Sequence, residues 1–168
     1  TARYLLHRWP VLLPLLAVFA GVAAAALAGL ANGLMIVGLR LVPFIVTLGA
    51  MGMIRGLAKG IADERDIYPP EDTWITTIMD PTLASEDRSW MLLPPGVWIV
   101  LLSVLAAAFV LRYTRLGRHI YAVGSNEETA RLCGVNVGRT KIFVYGATGF
   151  FCGLAGLMQF SYIGGVGQ

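Results

Sequence analysis

The sequence predicts an all-α protein, a polytopic transmembrane helical bundle of about four spans. Three observations carry this. Hydrophobic residues make up 57% of the 168 and charged residues only 14%, against roughly 25% charged in a soluble domain. The apolar residues come in runs of about 20, the length that crosses a bilayer. The charges fall between the runs: eight of the ten acidic residues lie from Asp63 to Asp87, and six of the thirteen basic residues from Arg112 to Lys141. One water-soluble core could not cover that many apolar faces. The chain begins at Thr1 and stops at Gln168 inside "YIGGVGQ". It is expected to be a piece of a longer protein, so 1–168 reads as a partial transmembrane domain.

The first span is expected over 9–31, "WPVLLPLLAVFAGVAAAALAGLA", which holds no charge. The second is expected over 41–61. Pro43 suits a first helical turn, and Arg55 and Lys59 in the last turns can snorkel to the interface. The third, over 94–111, is "PPGVWIVLLSVLAAAFVL", and the fourth runs over 142–163. The fourth is rich in glycine, which membrane helices tolerate. Trp74, Trp90 and Trp98 read as interface belt residues, with contact to an outside partner as the alternative.

The loops fix the orientation. The loop at 112–141 carries Arg112, Arg115, Arg118, Arg131, Arg139 and Lys141, whereas the loop at 62–93 has only Arg65 and Arg88 as bases. The positive-inside rule puts 112–141 in the cytoplasm and 62–93 outside. A short turn at 32–40 is then cytoplasmic. The same rule accounts for the basic residues without nucleic acid.

Glycines at four-residue spacing suit close helix packing in lipid. Gly29 and Gly33 end the first span, Gly52, Gly56 and Gly60 line the second, and Gly149 and Gly153 lie in the fourth. Asn32, Thr47, Gln159 and Ser161 are the polar groups that could line a translocation path, with helix–helix hydrogen bonding as their bland alternative. No carboxylate falls inside a span, which argues against a proton relay. There is no phosphate loop, no metal-ligand spacing and no partnered nucleophile. No metal, cofactor or enzyme activity is expected.

Between the last two spans lies "GRHIYAVGSNEETARLCGVNVGRTK". Ser125 and Glu128 have capping-box spacing. Glu127 and Glu128 suit the positive end of a helix dipole, and Gly134 can end the helix in a left-handed conformation. A helix of about two turns is therefore expected over 126–133, with Glu127 and Arg131 paired across one face. So short a helix needs something to rest on.

The stretch "TRLGRHIYAVGSNEETARLCGVNVGRTKIFVY" closely resembles the cytoplasmic loop of the ribose-type permeases of bacterial ABC sugar importers. These belong to the branched-chain amino acid/monosaccharide permease superfamily, which also takes in xylose, arabinose and galactoside types. "NGLMIVGLRLVPFIVTLGAMGMIRGLA" and "LPPGVWI" resemble further parts of the same family. The resemblance implies a permease in the bacterial inner membrane that imports a monosaccharide, such as the pentoses ribose or xylose. Its expected partners are an ABC ATPase on the cytoplasmic side, a second permease copy (identical or related), a periplasmic sugar-binding protein and membrane lipid, with no nucleic acid. The short helix matches the family's coupling helix, and Asn126, Glu127, Glu128, Ala130, Arg131, Leu132 and Gly134 fall on the matching positions. ATP hydrolysis is implied on the separate subunit. The alternatives are an ion-coupled secondary transporter, a permease for another small solute, or an export or signalling subunit.

Overall fold

The structure is a computed structural model that describes residues 12–63 and 95–163. The described residues form six helices: α1 (Leu12–Leu39), α2 (Pro43–Ile61), α3 (Pro95–Tyr113), α4 (Arg115–Ser125), α5 (Glu127–Leu132) and α6 (Val137–Ile163). Four of them, α1, α2, α3 and α6, are long and apolar enough to cross a membrane. The fold is the all-α membrane bundle that the composition predicts. Residues 9–11 of the expected first span, the expected outer loop from residue 64 onward, Trp74 and Trp90 lie outside the described residues.

Two boundaries differ from the sequence expectation. The turn expected over 32–40 is helix up to Leu39, and only residues 40–42 connect α1 to α2. "ANG" reads as a turn in water, but in a long apolar helix its backbone hydrogen bonds continue the helix. Arg40 then reverses the chain with a φ of 54°, in the left-handed region. Val42 follows in an extended conformation (φ −64°, ψ 124°), as a residue before proline prefers. The helix that carries the fourth span begins at Val137, ahead of the expected span start at 142, because Asn136 caps it. The Asn136 Oδ1 accepts from the Arg139 N–H at 3.0 Å.

The molecule is organised by the antiparallel seam between α1 and α6. Gly29 faces Gly149 so closely that a Cβ on either would lie 2.9 Å from the other's Cα. A Cβ at Gly33 would lie 3.0 Å from the Ile142 Cα, and one at Gly153 would lie 3.0 Å from the Val22 Cα. In lipid this close backbone approach replaces the hydrophobic drive. The register sets the start of α6 beside the end of α1. The 40–42 turn and the α4–α5 segment therefore share one side of the bundle. By contrast, Gly52, Gly56 and Gly60 on α2 have open space around them among the described residues. α2 buries only Val46 and presents Phe44, Met53 and Leu57 outward.

Candidate functional site

The segment from Thr114 to Asn136 is built by three side-chain caps. Thr114 is extended (φ −101°, ψ 161°), so α3 and α4 cannot run on as one straight helix. Its hydroxyl donates to the Val110 carbonyl at 2.6 Å and accepts from the Gly117 N–H at 3.2 Å. Gly117 is buried against the last turns of α3. A Cβ there would lie 2.6 Å from the Leu111 Cα and closer still to its carbonyl. α4 is amphipathic and was not expected from the sequence. Its polar residues hide the period, which puts Leu116, Ile120 and Val123 on one side.

α5 corrects the expected capping box. Ser125 is the last residue of α4, and Asn126 is the cap. Asn126 is extended (φ −158°, ψ 114°), closing α4 and opening α5 at once, and its Oδ1 accepts from the Thr129 N–H at 3.0 Å. Ser125 is still helical and so lacks the extended backbone that a cap needs. Glu127 does not bond with Arg131 as expected. It pairs with Lys141 in the second turn of α6, at 2.5 Å. This tertiary pair ties α5 to the start of the fourth span.

The far end of α5 closes as the glycine predicts. Gly134 has φ 82°. Its N–H donates to the Arg131 carbonyl and the Val135 N–H donates to the Ala130 carbonyl, each at 3.0 Å. This is a complete Schellman closure. Ala130 faces inward, 3% exposed, while Leu132 is 89% exposed. Glu128, Thr129 and Arg131 are exposed as well. The result is a short platform, fixed from behind and bare in front.

The four candidate path residues are not brought together. Asn32 lies in α1 with its Oδ1 buried and without a hydrogen-bond partner among the described residues. Thr47 bonds to its own helix, donating to the Pro43 and Phe44 carbonyls. Gln159 is exposed on α6, and Ser161 is buried there. In the seam register, Gln159 and Ser161 stand about 20 Å along the helix from the level of Asn32. Two grooves are found among the described residues. One of 470 Å³ lies between α1 and α6, around Gly21 and Gly156, and one of 300 Å³ lies between α3 and α6. Both are apolar. Ser103 in the second donates to the Ile99 carbonyl. Neither groove has the convergent polar groups that would hold a sugar.

Residues 1–167 match the family model described as branched-chain amino acid transport system / permease component. The chain is 36% identical over 145 residues to the ribose import permease protein of Escherichia coli, covering 86% of this chain and 44% of that protein. It is 34% identical over 142 residues to the autoinducer 2 import system permease protein of Klebsiella pneumoniae, covering 84% and 39%. It is 33% identical over 127 residues to the L-arabinose transport system permease protein of E. coli, covering 76% and 36%. The chain therefore spans less than half the length of these relatives. No solved structure matches it. With four helices long and apolar enough to cross a membrane and a family match along nearly all of its length, the chain belongs to the family described as branched-chain amino acid transport system / permease component.

Proposed function

We propose that the chain is part of the permease subunit of an ATP-driven importer of a monosaccharide, a pentose such as ribose. In this reading α5 is the coupling helix, seated on a cytoplasmic ATPase. Closure of the ATPase dimer pushes α5, and the Glu127–Lys141 tie passes the push to α6. The seam then carries α1 along, and the bundle alternates its access. A second permease copy and a periplasmic sugar-binding protein complete the importer. Asn32, Thr47, Gln159 and Ser161 meet the path only with the help of spans beyond this chain.

The observation that carries the reading is the build of α5. A six-residue helix does not hold itself together, yet both of its ends are closed and its rear is buried. Leu132, in front, is almost wholly bare. An apolar side chain held out on a fixed platform suits a groove on a partner. The test is the full-length permease expressed with its ATPase. Leu132→Asp is expected to leave the permease in the membrane at normal level, to lower the co-purified ATPase severalfold, and to lower labelled ribose uptake with it. Full uptake with a full complement of ATPase would reduce α5 to a chain reversal.

Orientation rests on the basic residues of 112–141. In a background without Cys133 and Cys152, Ser125→Cys is expected to react with an impermeant thiol reagent only after the inner membrane is opened. Asp80→Cys is expected to react in intact cells. The reverse pattern would turn the molecule over. One other solute has a specific observation behind it, the 34% identity to an autoinducer 2 permease. Competition between labelled ribose and autoinducer 2 for uptake decides between the two.

A further inference from the structure

We propose that α4 and the last turn of α3 form a binding face for anionic phospholipid headgroups. No acidic residue occurs between Asp87 and Glu127. In that interval Arg112, Arg115, Arg118 and His119 are all exposed. None of the three arginines has an acidic partner among the described residues, where the ion pair is Lys141 with Glu127. A cation cluster with no counter-charge of its own calls for an external anion.

The placement selects a lipid. Arg112 is still in the last turn of the third span. Arg115 and Arg118 follow in the first turns of α4, at the level where the chain leaves the bilayer. At 3.6 residues per turn, Arg115, Arg118 and His119 share one side of α4, and Leu116, Ile120 and Val123 share the neighbouring side, roughly 110° round the helix. Tyr113 and Tyr121, 66% and 65% exposed, flank the cations. The Arg112 guanidinium lies 5.9 Å from the Tyr113 ring centroid. Exposed tyrosines beside arginines on an amphipathic helix match the headgroup layer, where the ring sits among ester groups and the guanidinium takes phosphate oxygens. The Thr114 cap and the buried Gly117 hold the corner, so the cations are presented in a fixed direction. Charge bias alone sets which side of the membrane a loop occupies; it does not require the cations to share one helix face beside the span end. This face is separate from the bare front of α5 and does not depend on what α5 contacts.

The test uses the full-length permease with its partner subunits, reconstituted in mixed phosphatidylcholine and phosphatidylglycerol nanodiscs. Lipid retained per permease is measured by native mass spectrometry after partial delipidation. The wild type is expected to enrich phosphatidylglycerol, and the enrichment is expected to fall as salt rises. Arg115→Gln with Arg118→Gln is expected to lower it about 25-fold, at about fivefold per arginine. Arg115→Lys with Arg118→Lys is expected to keep most of it. Arg131→Gln removes one charge from α5 and is expected to leave the enrichment unchanged. Thiol labelling of Ser125→Cys in the glutamine variant checks that the segment has kept its side. Unchanged enrichment in the glutamine pair overturns the proposal. So does loss of the ATPase with phosphatidylglycerol retained, which would give this face to the protein partner. A wild type that shows no enrichment, or enrichment indifferent to salt, overturns it without any variant.

Discussion

Two glycine-patterned faces look alike in the sequence and differ in the structure. Gly29 and Gly33 on α1 meet Gly149 and Gly153 on α6 across a seam where backbones nearly touch. Gly52, Gly56 and Gly60 on α2 repeat the same spacing, yet nothing among the described residues lies within 4 Å of a Cβ placed on them. Four-residue spacing thus reports that a helix can admit a close neighbour. Whether it has one depends on a second helix with matching small residues at the matching depth. α6 supplies that match to α1, and no described helix supplies it to α2.

The comparison breaks most readily at the seam. Gly149→Leu drives a side chain into the Gly29 backbone and the Ala25 carbonyl. Backbone relaxes less than side chains, so the cost sits at or above the roughly 1–3 kcal/mol usual for overpacking. A cysteine crosslink between α1 and α6 across the seam is expected to be lost, with a large fall in folded protein. Gly117→Val comes next. It clashes with Leu111 at the α3–α4 corner, again at about 1–3 kcal/mol, and is expected to leave the seam crosslink intact while exposing α4 to protease. Third is Gly134→Val, which puts a β-branched residue at positive φ for at least about 1–2 kcal/mol. Its damage is expected to stay within α5, read as faster proteolysis near Cys133 with normal membrane levels.

Gly56→Leu sharpens the contrast from the other side. The seam crosslink is expected to persist in this variant at wild-type yield, and its loss would make α2 part of the same packing unit. The smallest effect belongs to the Glu127–Lys141 pair, which is partly exposed and so contributes about 0–1 kcal/mol. Glu127→Lys is expected to loosen α5 slightly. Adding Lys141→Glu to it is expected to restore wild-type protection of the α5 amides in hydrogen exchange.

The spans were legible because each apolar run is as long as a bilayer is thick. Their ends were less so. Asn32 and Gly33 form a turn signal in water, and the sequence does not say that Gly33 will be pressed against Ile142. α6 starts among polar residues because Asn136 caps it, a choice decided by backbone conformation rather than hydropathy. The same holds at Asn126. Ser125 and Glu128 have good spacing for a capping box, but α4 runs one residue further and takes Ser125 into its last turn. α4 itself was missed because its face repeats only over three turns. Gly134 was legible because few residues other than glycine accept its φ. The path residues were named only for being polar in apolar surroundings, a criterion blind to depth, and the structure spreads them along the bundle.

The α1–α6 seam also sets the order of biosynthesis. Its two halves are separated in the chain by α2, α3, α4 and α5. At the usual pace of translation, α1 waits on the order of ten seconds in the membrane before α6 emerges to meet it. During that wait its glycine face is open to any passing helix. A ribosome that stalls, or a transcript cut short before α6, leaves an orphan span with its most adhesive surface exposed. Such a product is an obvious substrate for membrane proteases, and the seam doubles as a signal that α6 has arrived.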